Sequence, residues 1–368
     1  MAVFSSTTLL GRPTIMQLTP QELGLVQRDR RRQPSLPAPR GPVSAFLLEH
    51  LARPVHDLPE APPADDDPLD GDDSALALYC CYELHYRGFD GVDGRWEWDP
   101  GLLRLRARLE GAFDRRVREV TGPVTVTDDV PERLCGLLTE FAGPSLSAWM
   151  LREGSLEQLM EFHIHRSAYQ LKEADPHSWA LPRLSGTAKA ALVHIQSDEY
   201  GQGVEKDMHA ELYALTLREL GMDDAYGAYL DVIPGVTLAT VNLVSYFGLH
   251  RRLRGALVGH LAVFEMTSVE PMGRYSAALR RHGFGPWARL FYDTHVVADA
   301  HHQTVAVRDL AGGLVRDEPH LAGDVLFGAQ AVSVLEQRFT RHLLDRFAAD
   351  RTSLHPSSTV RSAHLGKR

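Results

Sequence analysis

Cysteine is scarce in this chain of 368 residues, which contains only Cys80, Cys81 and Cys135. Three cysteines are too few for a disulfide framework or a four-cysteine zinc site, so we expect a protein of the reducing cytoplasm. The first residues also lack the pattern of a secretory signal, which agrees with that expectation.

Long apolar runs and an excess of basic residues are missing as well. The longest apolar runs, such as Ala75–Tyr82 and Gly255–Phe264, are too short to cross a bilayer, which excludes a membrane protein. The net charge is −9, so we expect no basic face and no nucleic-acid partner. A hydrophobic content of 44% is ordinary for a globular protein.

Two charged, proline-rich segments lie near the N-terminus. Residues 1–56 carry seven arginines against three carboxylates, whereas Asp57–Asp73 carries eight carboxylates and no basic residue. Such segments bury too little apolar surface to offset the entropy lost on ordering. We therefore predict that residues 1–73 form a disordered tail, with one short helix at Val43–Ala52, and that residues 351–368 form a second tail. A solvated linker is favoured over a docking tail.

From Ala75 onward the apolar residues recur with a helical period, and neither strand alternation nor a fixed repeat is evident. Pro100 and Gly122 mark the start and end of one helix, and Ser155 with Gln158 predicts a capping box at the start of another. The sequence therefore predicts an all-α bundle of roughly eight to ten helices.

The segment His295-Val-Val-Ala-Asp299-Ala-His301-His302 is the most informative part of the chain. Offsets of four and seven residues place His295, Asp299 and His302 on one helix face within about 60°, and His301 about 100° away. Two imidazoles and one carboxylate on one face suit a divalent first-row metal, although polar residues at this spacing also mark a solvated face. Apolar neighbours indicate a buried helix, where unpaired polar groups are costly.

Three further residues are candidate ligands. Glu199 and His209 lie ten residues apart, and the glycines at 201 and 203 predict a break that re-aims Glu199 toward the same centre. Glu265 stands in an apolar helix, so its carboxylate is expected to be paired with arginine, protonated or metal-bound. For Glu199 the alternative is a helix cap or a surface carboxylate, a role favoured for Asp198.

Three carboxylates and three imidazoles from three helices match the ligands of a dinuclear iron site in a helical bundle, although zinc accepts the same ligands. The order Glu, His, Glu and His-x-x-x-Asp-x-x-His resembles that of the heme-oxygenase-like diiron oxidases and oxygenases. The resemblance covers roughly Ser155–Phe347. It implies a heme-oxygenase-like fold without heme, with the diiron domain at residues 151–350 and a helical extension at residues 74–150.

The resemblance also implies the cofactor and its ligands. Two iron ions per chain, Fe(II) or Fe(III), would be held by Glu199, His209, Glu265, His295, Asp299 and His302, with dioxygen as co-substrate. Some relatives place an extra carboxylate upstream of the first glutamate, and Glu173 is the candidate for it. Helix capping, or surface pairing of Glu173 with Lys172 or Arg166, is favoured over that role.

The implied function is an O2-dependent oxidoreductase acting on a small organic substrate, by N-oxygenation of an amine or amino acid or by oxidative C–H or C–C cleavage. Turnover would need an external electron donor, either a ferredoxin-like protein or a reductase. The apolar helices would suit a homodimer. The alternative is a non-catalytic protein of the same fold that binds a ligand or a partner; for a one-zinc hydrolase, no recognisable motif is found.

Overall fold

The computed structural model describes residues 33–127, 129–140 and 143–356, and these residues are all-α, as predicted. No strand occurs among them. The helices are α1 (Pro42–Leu51), α2 (Asp72–Glu83), α3 (Pro100–Thr121), α4 (Val130–Glu140), α5 (Leu146–Arg152), α6 (Leu156–Gln170), α7 (Asp175–Ser178), α8 (Gly186–Glu199), α9 (His209–Glu219), α10 (Gly235–Leu249), α11 (Arg254–Thr267), α12 (Val269–Arg281), α13 (Pro286–Thr304), α14 (Gly312–Asp317) and α15 (Ala322–Ala348). A π-helical segment, Val305–Ala311, joins α13 to α14.

Helix boundaries follow the capping residues of the sequence. The Asp99 side chain accepts a hydrogen bond from the Leu102 amide at the start of α3, and Gly122, with φ of 73°, ends that helix. At the start of α6, Ser155 and Gln158 form the predicted capping box. Each such cap stabilises its helix by about 1 kcal/mol, so these boundaries are local properties of the sequence.

The predicted N-terminal tail is wrong for residues 33–73, which pack against the rest of the described chain; residues 1–32 lie outside the described residues. α1 buries Val43, Leu47 and Leu51 in the main core. The Arg40 guanidinium donates to the backbone carbonyl groups of Leu230 and Ile233.

The acidic run is ordered because its carboxylates cap helices. Asp73 accepts hydrogen bonds from the backbone amides of Val43 and Ser44, at 2.9 and 2.7 Å. Asp66 accepts from the amides of Asp73 and Ser74, at 3.0 and 3.2 Å. Amides at helix N-termini lack partners within the helix and favour negative charge, so the run binds backbone instead of remaining solvated.

The C-terminal prediction is wrong for residues 351–356, while residues 357–368 lie outside the described residues. Ser353 is buried, and its hydroxyl lies within hydrogen-bond distance of His165 Nε2 (2.9 Å) and of a Glu161 carboxylate oxygen (2.7 Å). This short segment is thereby fixed on α6.

The main core lies between α10, α11 and α15, and apolar side chains of α2, α3 and α4 belong to it. The described residues from Gln33 onward form one compact unit, so a division of the chain at residue 150 stays a prediction. No helix in the described ranges has the length and apolar character needed to cross a membrane.

α11 and α15 cross at two glycines. A Cβ atom on Gly259 would overlap the backbone carbonyl of Val325, and one on Gly328 would overlap that of Ala256. The two helices therefore contact each other through their backbones, which fixes the position of α11.

We predict that Gly259→Ala lowers the free energy of unfolding by about 1–3 kcal/mol, because the added methyl group must push the two helix backbones apart. Gly111→Ala is the matched control, since its Cβ would meet only the Arg115 side chain at 3.6 Å. The control is expected to stabilise α3 by up to about 1 kcal/mol. Urea unfolding measures both, and equal effects would contradict the close crossing.

Buried histidines should make stability depend on pH. Burial holds the pKa of His165 well below 6.5, whereas the same side chain binds a proton near pH 6.5 in the unfolded chain. The unfolded state thus takes up more protons as pH falls, and stability is lost below about pH 6.5.

We predict that His165→Gln weakens this pH dependence by up to about 1.4 kcal/mol per pH unit below pH 6.5. His163→Gln should weaken it equally down to about pH 4, because burial lowers the pKa of His163 to about 4. The free energy of unfolding, measured at several pH values, checks this. A slope equal to that of the wild type in both variants would refute it.

Candidate metal centre

The predicted ligands lie on four helices that converge on one buried point. Glu199 ends α8, His209 begins α9, Glu265 lies on α11, and His295, Asp299 and His302 lie on α13. All six are buried. Glu173, in the segment between α6 and α7, reaches the same point: its Oε2 lies 3.6 Å from His295 Nε2. The structure therefore brings together all seven residues that the sequence singled out.

α13 presents its polar face to the protein interior. His295, Asp299 and His302 are buried, while Val297 between them is 77% exposed and His301 is exposed. The face with the polar side chains is therefore the inward one. A solvated polar face, the alternative for this spacing, does not occur here.

The turn between α8 and α9 returns the chain to the centre. Gly201 and Gly203 have φ values of 60° and 82°, which side chains with a Cβ rarely adopt. The backbone at Gly201 also lies against that of Asp207 and Met208. This reversal places His209 Nδ1 within 2.8 Å of Glu199 Oε2.

The donor atoms form two groups that share Glu199. The first group is Glu173, Glu199, His209 and His295, and the second is Glu199, Asp299 and His302; within each group the atoms lie within 4.8 Å of one another. Glu265 adjoins the second group, since its Oε2 lies 3.3 Å from His302 Nδ1.

Four donor atoms in this centre lack a hydrogen-bond partner among the described residues. They are Oε2 of Glu199, Nδ1 of His209, Oε2 of Glu265 and Nδ1 of His302. They face one another in pairs, but without the geometry of a hydrogen bond. A buried polar atom without a hydrogen bond costs about 1–3 kcal/mol, so four in one place call for a cation or added protons among them. Carboxylate and imidazole lone pairs that converge in this way fit a bound metal cation.

Hydrogen bonds at the opposite ring nitrogens orient two of the imidazoles. His295 Nδ1 lies 2.9 Å from the Phe291 carbonyl, and His302 Nε2 lies 3.0 Å from Asp198 Oδ2. With a metal bound, the nitrogen that faces the Phe291 carbonyl or the Asp198 carboxylate would keep its proton, which would leave Nε2 of His295 and Nδ1 of His302 to bind the metal.

Burial and mutual proximity shift the pKa values of the centre. Burial raises the pKa of Glu199 to about 7 and that of Glu265 to about 8. For His295, burial acts to lower the pKa, but the carboxylates of Glu173, Glu199 and Asp299 together outweigh it and raise the pKa to about 10. The carboxylates thus favour a positive charge among them, which a metal ion also supplies.

Residues 160–337 match the model of a family described as iron-containing redox enzymes. This segment is an iron-containing redox enzyme domain. All seven residues of the centre lie within it, and its fold is the heme-oxygenase-like all-α fold that the sequence predicted. Iron is therefore the metal that the family indicates for these side chains.

A curated relative comes from Streptomyces achromogenes subsp. streptozoticus and is named a nitrosourea synthase. It is 29% identical to this chain over 146 residues, which are 39% of this chain and 31% of that protein. The similarity therefore spans about a third of the relative.

A cavity of about 360 Å³ opens beside the centre of the iron-containing redox domain. Glu173, Glu199, Glu265, His295 and Asp299 line one end, and the remaining wall is largely apolar and aromatic. A small molecule in this cavity would contact the centre directly.

An ion pair also lies in the cavity wall. Arg166 and Glu336 make two hydrogen bonds, at 2.9 and 2.6 Å. The hydroxyl of Tyr292, another lining residue, lies 2.9 Å from His163 Nε2. These polar groups already have partners within the protein.

The two residues on either side of Glu173 are each held by a hydrogen bond to another part of the chain. The Lys172 ammonium donates to Glu83 Oε2 at 2.9 Å, and both side chains are fully buried. Gln196 donates to the carbonyl of Ala174, a residue with φ of 74°. The pairing of Glu173 with Lys172 or Arg166, considered from the sequence, is therefore not found.

The anchor for this segment comes from outside the iron-containing redox domain. Glu83 ends α2, before residue 160, and it also accepts hydrogen bonds from the Tyr226 hydroxyl at 2.7 and 2.8 Å. The pair was not predicted because 89 positions separate Glu83 from Lys172. The contact of Asp198 with His302 was not predicted either. The one sign of it in the sequence was that His194 and Asp198, four residues apart on α8, share a helix face.

We predict that Lys172→Met lowers the free energy of unfolding by about 3–5 kcal/mol, because Glu83 then stays buried without a counter-charge. Metal content should fall as well, since the segment that holds Glu173 loses its anchor. Urea unfolding and metal analysis of the purified protein measure the two effects.

Two further variants test whether loss of the buried ion pair causes these effects. Glu83→Gln/Lys172→Met removes both charges and should recover most of the stability. Lys189→Met, at an exposed position of α8, should change neither property. A Lys172→Met protein as stable as this control would contradict the buried ion pair.

Proposed function

We propose that this protein is an O2-activating, non-heme diiron oxidase or oxygenase that acts on a small organic substrate. The observation that carries the proposal is the convergence of four buried donor atoms without hydrogen-bond partners in a cluster of seven ligand side chains. The family match supports iron.

The two overlapping groups suggest how two ions would be held. Glu173, His209 and His295 would bind one ion, and Asp299, His302 and Glu265 the other. Glu199 belongs to both groups and is the candidate bridge. When bound, such an iron pair supplies the electrons and the Lewis acidity for reducing dioxygen.

The protein itself contributes orientation and exclusion of water. The Phe291 carbonyl and the Asp198 carboxylate fix two imidazole rings, so little reorganisation is needed when the metal binds. Phe264 and Tyr275 in the cavity wall would keep water from a substrate held beside the centre.

The substrate is proposed from the cavity and the relative. A largely apolar cavity of about 360 Å³ suits a small organic molecule. The name of the relative, a nitrosourea synthase, favours N-oxygenation of an amine or amino acid over C–H or C–C cleavage. Repeated turnover would need electrons from a ferredoxin-like protein or a reductase.

A non-catalytic binding protein of the same fold is the alternative. It would use the cavity for a ligand or partner without any metal. That alternative leaves the four buried donor atoms to be compensated by protons alone and gives no role to the match with iron-containing redox enzymes, which is why we favour the enzyme.

We predict that the metal-free protein, incubated anaerobically with Fe(II) and freed of excess metal, retains about two iron ions per chain. Asp299→Ala and His295→Ala should each retain at most about one, because each removes a ligand from one group. Iron analysis gives the counts, and an oxygen electrode should then record O2 consumption by the wild type and by neither of these two variants.

His320→Ala serves as the control, because the His320 side chain is 70% exposed and lies outside the centre. It should bind iron like the wild type. The proposal would be contradicted, and the binding protein favoured, if the wild type bound no iron. The same holds if the wild type and the three variants all bound equal amounts of iron.

A further inference from the structure

A third group of metal-ligating side chains lies next to the centre and shares one residue, His302, with it. His194, Asp198 and His302 place donor atoms within 4.8 Å of one another. His302 also belongs to the group with Glu199 and Asp299, and Glu199 in turn belongs to the group beside the cavity. The three groups thus form a continuous series of donors that begins at the protein surface.

The outer end of the series is open to solvent. His194 is exposed, the Asp198 side chain is 28% exposed, and the His302 side chain is 1% exposed. His194 and Asp198 are four residues apart on α8 and share one face, which is directed at the end of α13. The ring centroids of His194 and His302 are 6.0 Å apart.

Both oxygens of the Asp198 carboxylate are held by contacts with other side chains. The Gln202 amide donates to its Oδ1 at 3.0 Å, and its Oδ2 lies 3.0 Å from His302 Nε2. Asp198 Oδ2 therefore faces the imidazole of His302, and a ligand atom of His194 lies within 4.8 Å of those of Asp198 and His302. Ligands on one first-row ion at about 2.0–2.2 Å lie roughly 3–4 Å apart, so small side-chain rotations would close this group around a cation.

We propose that His194, Asp198 and His302 form an outer docking site for a divalent first-row cation, from which the ion passes to the buried centre through His302. Two imidazoles and one carboxylate leave coordination positions for water, so the outer site binds weakly and exchanges quickly. Nε2 of His302 faces this site and Nδ1 faces Glu265. A neutral imidazole has one lone pair, so the ring holds one ion at a time. With the proton on Nδ1, Nε2 would hold the outer ion; once that ion has left, movement of the proton to Nε2, which then faces the Asp198 carboxylate, would free Nδ1 for the inner ion.

The geometry separates metal uptake from substrate binding. The cavity is lined by Glu173, Glu199 and Asp299, but His194, Asp198 and His302 are not among its lining residues. Metal thus reaches the centre along the α8–α13 face, and a substrate reaches it through the cavity. This inference rests on the proposed metal centre.

The test is the rate at which the metal-free, full-length protein takes up Co(II), followed by visible absorbance in a stopped-flow instrument. His194→Ala should slow uptake at limiting cobalt by about tenfold or more, because it removes one of three outer ligands. The final count of bound cobalt should equal that of the wild type. His194→Asp, which restores a metal-binding oxygen, should recover most of the rate.

The control is again His320→Ala, which removes an exposed histidine elsewhere and should leave the rate unchanged. Uptake by His194→Ala at the wild-type rate would overturn the inference, and so would equal slowing in His194→Ala and His194→Asp. A wild type that binds no cobalt would instead overturn the proposed centre, so the two failures are distinguishable.

Discussion

The burial of mutually facing carboxylates and imidazoles is the constraint on which the rest of this structure depends. A carboxylate transferred to an apolar interior is strongly disfavoured unless a partner compensates its charge. Here four carboxylates and three imidazoles share one interior, and two pairs of their atoms approach without hydrogen bonds. Such an interior is stable only when a cation or protons occupy it. The helices around it therefore act as supports for a charged centre.

The supports are of two kinds. Backbone contact at Gly259 and Gly328 fixes α11, which carries Glu265. A buried ion pair from α2 fixes the segment that carries Glu173. α2, which lies before the iron-containing redox domain, is thus part of the structure that orients the centre.

Local properties of the chain could be predicted from its sequence. The helical spacing of His295, Asp299 and His302 fixes their common face. The apolar neighbours were a poor guide to burial, since Val297 is 77% exposed and only one face of α13 is buried. The all-α class follows from periodicity, and the helix ends follow from capping residues. Glu173 was different: only the resemblance to a family pointed to it, because no local pattern distinguishes it from a surface carboxylate.

Contacts between distant parts of the chain could not be predicted in this way. The acidic run before α2 was predicted to be solvated because composition averages over positions, whereas Asp66 and Asp73 each meet particular backbone amides. Glu83 and Lys172 are 89 positions apart in the sequence, and Asp198 and His302 are 104 positions apart. Such pairs are set by how the helices pack, which periodicity does not encode.

The π-helical segment Val305–Ala311 affects how the ligand helix is oriented. A π-turn accommodates an extra residue within a helical path and shifts the rotational phase of the residues after it. α13 and α14 are therefore continuous in chain path but offset from each other in rotational phase. The angle at which α13 presents its ligands can suit the metal, while α14 takes the angle that suits its own neighbours. One segment thus allows the ligand helix and the helix after it to hold different rotational phases.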